Sequence, residues 1–317
     1  MLRYCAIRIA LLIPILLCVS FIIFWLIDLA PGEITDTMIT DQMTEEDIQI
    51  LRAKYDLDKP LIVRYGKYIW NLLHGDLGRS QVSNLSVWEQ YKIRFPFTLR
   101  LSIYSLILGV ALAIPAGIFA AKHAGTIWDN ITTAIAMLGL SMPNFWLGLM
   151  LLIYFSMKLK MFPAAYDGTW KSYVLPVVAN GFAMMASITR QTRSSILDVS
   201  RQDFLRTARA KGVPERRVTY KHELGNAWIP IITQIGMMLG MTLGGSAVIE
   251  AVYSWPGVGY LLVEAISRRD TIMACGCVIL TATMYTIILL IVDLVYAAID
   301  PRIRSAYARK KKRRVEA

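Results

Sequence analysis

The residue types that most often perform chemistry in proteins are sparse in this sequence. The chain has three histidines, and they lie far apart, at His74, His123 and His222. None of them forms a helical metal pair of the H-E-x-x-H kind, and no serine or cysteine has a histidine base at the spacing of a catalytic motif. The loop G-x-x-x-x-G-K-[ST], which cradles nucleotide phosphates, is also absent. We therefore expect no catalytic, metal or cofactor site in this chain and no enzyme activity of its own.

The cysteines do not point to redox or metal chemistry either. All four lie in or beside apolar runs, at Cys5, Cys18, Cys275 and Cys277. Cys275 and Cys277 are two residues apart, so they face different sides of a helix. We interpret the four as small apolar packing residues, and no disulfide is implied.

The stretch RTARAKGVPERR, Arg206–Arg217, is the segment best suited to a charged contact, and we call it the elbow. It holds five cations and one acid. Gly212 suits the left-handed residue that ends a helix, and Pro214 suits the first turn of the next helix, with Glu215 near its positive end. The pattern predicts one helix over Ile196–Ala210, a tight bend, and then a second helix.

Three interpretations of the elbow are open from the residues alone. A solvated basic loop would need no such bend. A helix-turn-helix for nucleic acid fits the charge, but short tethers to two apolar runs would hold it at a membrane. A docking surface for a cytoplasmic protein fits the bend, the tethering and the charge together. We favour this third interpretation and expect no nucleic-acid partner.

The elements that must position the elbow are apolar helices. The chain is 56% hydrophobic, with a mean hydropathy of +0.47 and a formal net charge of +11, which is too apolar for a soluble domain. Charge-free runs long enough to cross ~30 Å of hydrocarbon as helices occur six times. They are Ile9–Ile27, Leu101–Ala121, Ile131–Met157, Ser172–Thr189, Leu224–Ile249 and Thr271–Val292. We expect an all-α integral membrane protein with six transmembrane helices, the first retained rather than cleaved as a signal peptide.

The distribution of cations predicts the orientation of these helices. With the N-terminus inside, the inner segments hold twenty lysines and arginines, whereas the short outer loops hold five. The positive-inside rule then places both termini in the cytoplasm. We expect a multi-pass protein of the cytoplasmic (inner) membrane, in contact with the lipid bilayer.

The chain divides along its length into four predicted parts. They are an N-terminal segment with the first transmembrane helix (1–30), an extracytoplasmic segment (31–97), a five-helix core (98–299) that carries a cytoplasmic loop (190–228), and a basic cytoplasmic tail (300–317). Within the second part, Thr44 suits the cap of a short helix, and the apolar residues of LIVRYGKYIWNLLHGDLG (61–78) recur at helical spacing. We expect a small ordered cap on the outer face there, rather than a mere connector.

One acid at the edge of the membrane requires a partner. Asp293 directly follows the last charge-free run, near the inner boundary, where an unpaired acid is costly. Arg190 and Arg193 end the fourth run on the same side. The sequence predicts a structural ion pair between Asp293 and one of these arginines, rather than a proton relay.

Two runs also carry adaptable or small side chains. Met184, Met185, Met237, Met238 and Met241 could line a permissive pathway, although core packing is the favoured interpretation. The small side chains are glycines that recur every four residues, at Gly236, Gly240 and Gly244. Such a stripe lets another helix approach closely, either within the chain or from a partner subunit.

The chain resembles the inner-membrane permeases of ABC importers, in the branch for oligopeptides, dipeptides and nickel. The resemblance is carried by RTARAKGVPERRVTYKHELGNAWIP (206–230), LDKPL (57–61), HGDLGRS (74–80), SMPNFWLG (141–148), YSWPGVG (253–259), RRD (268–270) and VDLVYAAIDPRIR (292–304). The wider superfamily has an acid and two alanines six residues before the glycine of the elbow. This chain has Arg206, Thr207 and Ala208 there, which resembles this branch.

The resemblance implies a type I ABC importer permease fold and a set of partners. These are a second permease subunit, two ATP-binding subunits and an extracytoplasmic substrate-binding protein, with ATP and Mg²⁺ bound in the partners and no cofactor in this chain. The elbow would be a coupling helix docked on an ATPase subunit. It comprises Arg206, Thr207, Ala208, Arg209, Ala210, Lys211, Gly212, Val213, Pro214, Glu215, Arg216 and Arg217.

The resemblance determines the substrate class less narrowly than it determines the architecture. The resemblance favours short peptides, that is, dipeptides or oligopeptides. Nickel or a metal chelate, glutathione and an oligosaccharide are alternatives within the same architecture. A stand-alone membrane channel or receptor is the alternative from a different class.

Overall fold

The computed structural model describes the backbone of residues 2–29, 35 and 44–299, and their side chains except at 2–9, 45, 48, 245 and 293–299. The regular elements in these ranges are helices. They are α1 (Leu2–Leu29), α2 (Glu45–Lys54), α3 (Leu61–Leu73), α4 (Val87–Lys122), α5 (Ile127–Ser141), α6 (Asn144–Leu151), α7 (Lys171–Ser200), α8 (Asp203–Ala210), α9 (Glu215–Arg217), α10 (Leu224–Gly245), α11 (Ala247–Val252), α12 (Val258–Ser267) and α13 (Thr271–Ile299). Two π-helical turns, Leu152–Lys158 and Val218–Glu223, follow α6 and α9. The predicted all-α class is confirmed.

Within the described residues, five stretches of helix are long and apolar enough to cross a membrane. They are Ala10–Leu29, Val87–Lys122, Lys171–Ser200, Glu215–Gly244 and Thr271–Val292. The predicted span Ile131–Met157 is not one helix. It is made of α5 and of α6 with its π-helical turn, which bend by 97° at a short break, so the described helices provide five spans, or six if this bent pair crosses the membrane as one. Pro143 explains the break, because a proline disfavours the helical conformation of the preceding residue, and Met142 is extended (φ −78°, ψ 126°).

The chain forms two compact units that do not follow chain order. The first combines Met1–Leu99 with Ser254–Thr286, and the second combines Arg100–Tyr253 with Ile287–Ala317. In the first unit, α3 packs on α1, and a second core gathers around Val87 and Tyr91. In the second unit, α7 is the central helix and contacts α5, α6 and α10.

Local helix signals in the first unit are confirmed. Thr44 caps α2 in a reciprocal arrangement: its side chain accepts a hydrogen bond from the Asp47 amide at 3.3 Å, and its own amide donates to the Asp47 carboxylate at 3.0 Å. The helix predicted from LIVRYGKYIWNLLHGDLG is α3, which ends before a left-handed Gly75 (φ 82°).

The prediction of a single continuous helix over Ile196–Ala210 is wrong, because the structure has parts of two helices there. The helix α7 ends at Ser200, and Gln202 is extended (φ −83°, ψ 145°) before α8 begins. Asp203 in the first turn of α8 favours a new start, because an acid stabilises the positive end of a helix. The predicted basic tail (300–317) lies outside the described residues.

Candidate functional site

The elbow bends where the sequence predicts. After α8, Gly212 adopts a left-handed conformation (φ 73°), and the amides of Gly212 and Val213 donate to the carbonyls of Arg209 and Ala208 at 2.9 and 3.2 Å. These bonds satisfy carbonyls that the end of a helix leaves without partners. Pro214 then caps α9 (φ −62°, ψ 141°). The bend is therefore made by the backbone itself.

The elbow has an apolar underside and a charged outer surface. Leu205 and Val218, which flank the elbow, are completely buried in a core that also contains Ile118, Ile196 and Leu224. The exposed surface carries the elbow cations Arg206, Lys211, Arg216 and Arg217 and, just outside the elbow, the exposed rings of Phe204 and Tyr220. The buried residues fix the segment to the helices beneath it, and the exposed side chains remain available for contact.

Four charged residues fasten the elbow, and we call them the elbow clamp: Lys122, Arg209, Glu215 and Glu223. The Glu223 carboxylate is completely buried, and its two oxygens lie 2.6 Å from Lys122 Nζ and 3.0 Å from Arg209 Nη2. Glu215 contacts the same two cations, at 2.9 Å from Lys122 Nζ and 3.1 Å from Arg209 Nη2. The hydrogen bonds to Glu215 raise the pKa of Arg209. Two acids and two cations thus balance one another.

The clamp joins four separate elements around the elbow to one another. Lys122 ends α4, Arg209 belongs to α8, Glu215 begins α9, and Glu223 ends the following π-helical turn. Because a buried carboxylate is stable only with close cations, Glu223 requires both partners to stay in place. The clamp therefore ties the elbow to the end of α4, which is a candidate membrane span.

A second ion pair fixes the turn between α4 and α5 to α7. Arg193 donates from Nε and Nη2 to the two carboxylate oxygens of Asp129, at 2.6 and 2.7 Å. The Gly125 amide donates to the same carboxylate at 3.0 Å. Asp129 is buried, so this two-pronged geometry compensates its charge. The sequence did not predict this pair, since its members are 64 residues apart.

The predicted ion pair of Asp293 with Arg190 or Arg193 is not tested by the described residues. Arg193 itself contacts Asp129. The Asp293 side chain lies outside the described residues, and Arg190 is exposed. A pair between Asp293 and Arg190 or Arg193 stays a prediction.

The methionines and glycines of the two marked runs lie in different surroundings. Met184 is buried, and Met185 and Met238 pack against the same core, which contains Ala113 and Ile188. Met237 and Met241 are exposed on the single chain. In the glycine stripe, Gly236 and Gly240 are buried and Gly244 is exposed. Gly236 approaches α13 closely, because a Cβ there would lie 2.3 Å from the Val292 side chain.

Several motifs that carry the family resemblance have structural roles in the first unit. Asp270, the acid of RRD, is buried and accepts hydrogen bonds from the Ser80 hydroxyl, from the Gln81 amide at 3.1 Å and from the Met273 amide at 3.1 Å. It therefore caps α13 and holds the end of HGDLGRS. In YSWPGVG, the completely buried Trp255 donates to the Phe97 carbonyl at 3.2 Å.

Comparison with known proteins places these features in a family. The model of the binding-protein-dependent transport system inner membrane component matches residues 113–305, and the model of its N-terminal part matches residues 1–102. The dipeptide transport system permease protein DppB of Escherichia coli K12 is 36% identical over 337 residues, covering 96% of this chain and 99% of that protein. The glutathione transport system permease protein GsiC of the same strain is 39% identical over 304 residues, with the same coverage.

Solved structures agree in fold. Two inward-facing crystal forms of the MetNI methionine ABC transporter align with TM-scores of 0.53 and 0.56 at 17% and 18% identity. They cover 64% and 67% of this chain and 93% and 96% of the respective solved chains. The matched families, the full-length relatives and the helical fold agree, and the chain belongs to the inner-membrane permease subunits of binding-protein-dependent ABC importers, with their type I fold.

Proposed function

We propose that this permease forms half of the translocation pathway of an importer for short peptides. The observation that carries the substrate class is the near-equal, full-length identity to two relatives, 36% to a dipeptide permease and 39% to a glutathione permease. Dipeptides and glutathione are short chains that carry amide bonds, an amino group and free carboxylates. We infer a pathway for this class rather than for free metal ions or sugars.

We also propose that the elbow couples this pathway to ATP hydrolysis in two partner subunits. The support is the contrast between the two sides of the elbow. Its underside is fixed by a buried core and by the elbow clamp, whereas its outer surface presents Arg216 and Arg217 to solvent. A rigid, tethered and basic projection suits contact with an acidic or polar groove. ATP and Mg²⁺ would bind in those partners, and a second permease and an extracytoplasmic binding protein would complete the assembly.

Uptake into vesicles tests the substrate class. The complete transporter, with its binding protein inside or outside the vesicles as orientation requires, should import a labelled dipeptide only when ATP is supplied. Unlabelled glutathione should compete if the pathway serves the whole class. Flux of dipeptide without ATP or partner subunits would indicate a channel. Uptake of nickel or of an oligosaccharide without peptide uptake would overturn the peptide assignment.

Charge reversal on the elbow tests coupling. Replacing both Arg216 and Arg217 by glutamate puts like charges against an acidic groove and should abolish peptide uptake together with substrate-stimulated ATP hydrolysis. Lys171→Glu is the matched control, because Lys171 is also exposed but lies at the start of α7, far along the chain from the elbow. Normal uptake and hydrolysis in the double variant would show that the elbow is only a solvated basic loop.

We propose, from the cation distribution, that both termini are cytoplasmic and that the segment around Asn84 is extracytoplasmic. Single cysteines at Asn84 and Arg309 should react with a membrane-impermeant maleimide from opposite sides of right-side-out vesicles. Reaction of both from the same side would contradict this topology.

A further inference from the structure

The helix α3 has far more apolar surface than it buries. At about 100° per residue, its apolar side chains fill an arc of roughly 220°. One half of this arc packs within the protein through Tyr65, Tyr68, Ile69 and Leu72. The other half carries Ile62, Val63, Trp70 and Leu73, which are exposed by 66%, 48%, 65% and 75%. A soluble cap would place polar residues on this second half.

Contacts with α1 show how deep α3 lies relative to the membrane span. The Tyr65 ring contacts Phe21 and Phe24 with centroid distances of 5.2 and 5.5 Å, and Tyr68 contacts Phe24 at 5.3 Å. The candidate span in α1 reaches Leu29, the last residue described before the gap at 30–34. Phe24 and Phe21 precede Leu29 by five and eight residues, so they lie at least about 7–12 Å along the helix inside the span at 1.5 Å per residue. The packed half of the apolar arc of α3 therefore lies beside the hydrocarbon part of the span in α1.

Contacts with a second span, in α13, independently give the same depth for α3. Tyr68 shares a buried core with Cys275 and Ile279 of α13. The span in α13 begins at Thr271. Cys275 and Ile279 are four and eight residues inside it, which is about 6–12 Å along the helix axis. Two helices that run in opposite directions thus place α3 within one leaflet.

The polar side of α3 points toward a water-accessible cavity. Arg64, Lys67 and Asn71 occupy the remaining arc and line a cavity of about 640 Å³. Arg64 forms an ion pair with Asp28, next to the end of α1, and Lys67 Nζ lies 2.5 Å from Asp56. A helix that lies in a membrane interface typically extends charged side chains toward water from one side, while its other faces are apolar.

We propose that α3 is an interfacial helix embedded in the outer leaflet, with Ile62, Val63, Trp70 and Leu73 among the lipid acyl chains. The occupant of the exposed face is lipid rather than another protein, because the contacts of Tyr65 and Tyr68 with both neighbouring spans place α3 at the depth of hydrocarbon. Trp70 lies next to the polar side of the helix, which is where an indole ring is favoured at a membrane interface. The helix thereby anchors the segment that precedes α4 to the bilayer surface.

Spin labels on single cysteines test this proposal in the complete transporter in lipid vesicles, with native cysteines replaced by alanine. Oxygen concentrates in hydrocarbon, and a neutral nickel chelate stays in water. Labels at Ile62 and Trp70 should collide several-fold more often with oxygen relative to nickel than labels at Asn71, on the polar side of the same helix. A label at Gln49, exposed on α2, is the second water-facing control.

Three outcomes at Ile62 and Trp70 are informative. Collision with oxygen and not nickel supports the interfacial helix. Preferential collision with nickel places the face in water and overturns the proposal. Protection from both reagents means that a partner protein covers the face, which also overturns it. Two labelled positions are used so that a variant that fails to assemble, as judged by gel filtration of the complex, does not decide the result.

Discussion

Arg193 of α7 and Asp129 of α5 form a two-pronged ion pair across 64 residues of sequence, with N–O distances of 2.6 and 2.7 Å. The Asp129 side chain is 4% exposed, and that of Arg193 is 31% exposed. The pair connects the turn after α4 to the helix that leads into the elbow. The elbow clamp is another charged connection near the elbow, and it ties the buried Glu223 to the end of α4.

Removing Asp129 should destabilise the second compact unit. Asp129→Ala leaves a partly buried guanidinium without its carboxylate, and we expect a loss of about 2–4 kcal/mol. The double variant with Arg193→Ala should recover part of this loss. Thermal unfolding of the detergent-solubilised complex measures both. Asp198→Ala is the control, because Asp198 is an exposed acid on the same helix as Arg193. Additive effects of the two single substitutions would contradict the pair.

The two acids of the elbow clamp should differ strongly in importance. Glu223 is completely buried, whereas the Glu215 side chain is 56% exposed. Glu223→Ala should cost about 3–5 kcal/mol, since it removes the charge that faces both Lys122 and Arg209. Glu215→Ala should cost only about 0.2–1 kcal/mol. Protease sensitivity of the loop and thermal unfolding check the ranking. Equal effects would mean that the clamp is held mainly from its exposed side.

The bend at Gly212 should be sensitive to backbone conformation rather than to space. No atom lies within 4 Å of a Cβ placed there, but φ is 73°. A non-glycine residue in this region costs roughly 1–2 kcal/mol, more for a β-branched one and less for asparagine. Gly212→Val should therefore reduce peptide uptake and substrate-stimulated ATP hydrolysis together, with normal membrane insertion, and Gly212→Asn should be mild.

A matched glycine separates this effect from loss of a glycine in general. Gly225 also has no atom within 4 Å of an added Cβ, but it lies in the first turns of α10. Gly225→Ala should preserve uptake, because alanine is favoured in a helix. If Gly212→Val transports as well as Gly225→Ala does, the angle of the elbow is unimportant for coupling.

The buried Asp270 should stabilise the first compact unit through three donors. Asp270→Ala removes the cap of α13 and the acceptor for Ser80 and Gln81, and we expect a loss of about 2–4 kcal/mol. Glu264→Ala, which breaks an exposed pair with Arg268, should cost about 0.3–0.5 kcal/mol. Hydrogen exchange at the start of α13 reports the local change. Unaltered exchange in Asp270→Ala would show that the cap is dispensable.

Local features of the fold could be predicted because their causes are local. The left-handed Gly212 and the capping residue Thr44 depend on the conformational freedom or the hydrogen-bonding groups of single residues. Helix direction is a different matter. The apolar run Ile131–Met157 satisfies the length of a span, but its hydropathy does not record that the chain turns by 97° at Pro143.

The charged connections could not be predicted because their causes are distant in sequence. Lys122 and Glu215 are 93 residues apart, and each belongs to a segment rich in other possible partners. The sequence did indicate that acids near the inner boundary need cations, as for Asp293. It did not show which acid would meet Arg193, since that depends on how α5 and α7 pack.

The number of residues in the π-helical turn Val218–Glu223 determines which side of α10 faces α7, independently of which side chains α10 carries. A π-helical turn holds about one residue more than an α-helical turn, and each residue corresponds to about 100° of rotation. Ile231 is completely buried, and Gln234 donates to Ser187 of α7 at 2.9 Å. Deleting one residue from the turn would restore a regular helix and rotate both contacts away from α7, with the composition of the interface unchanged.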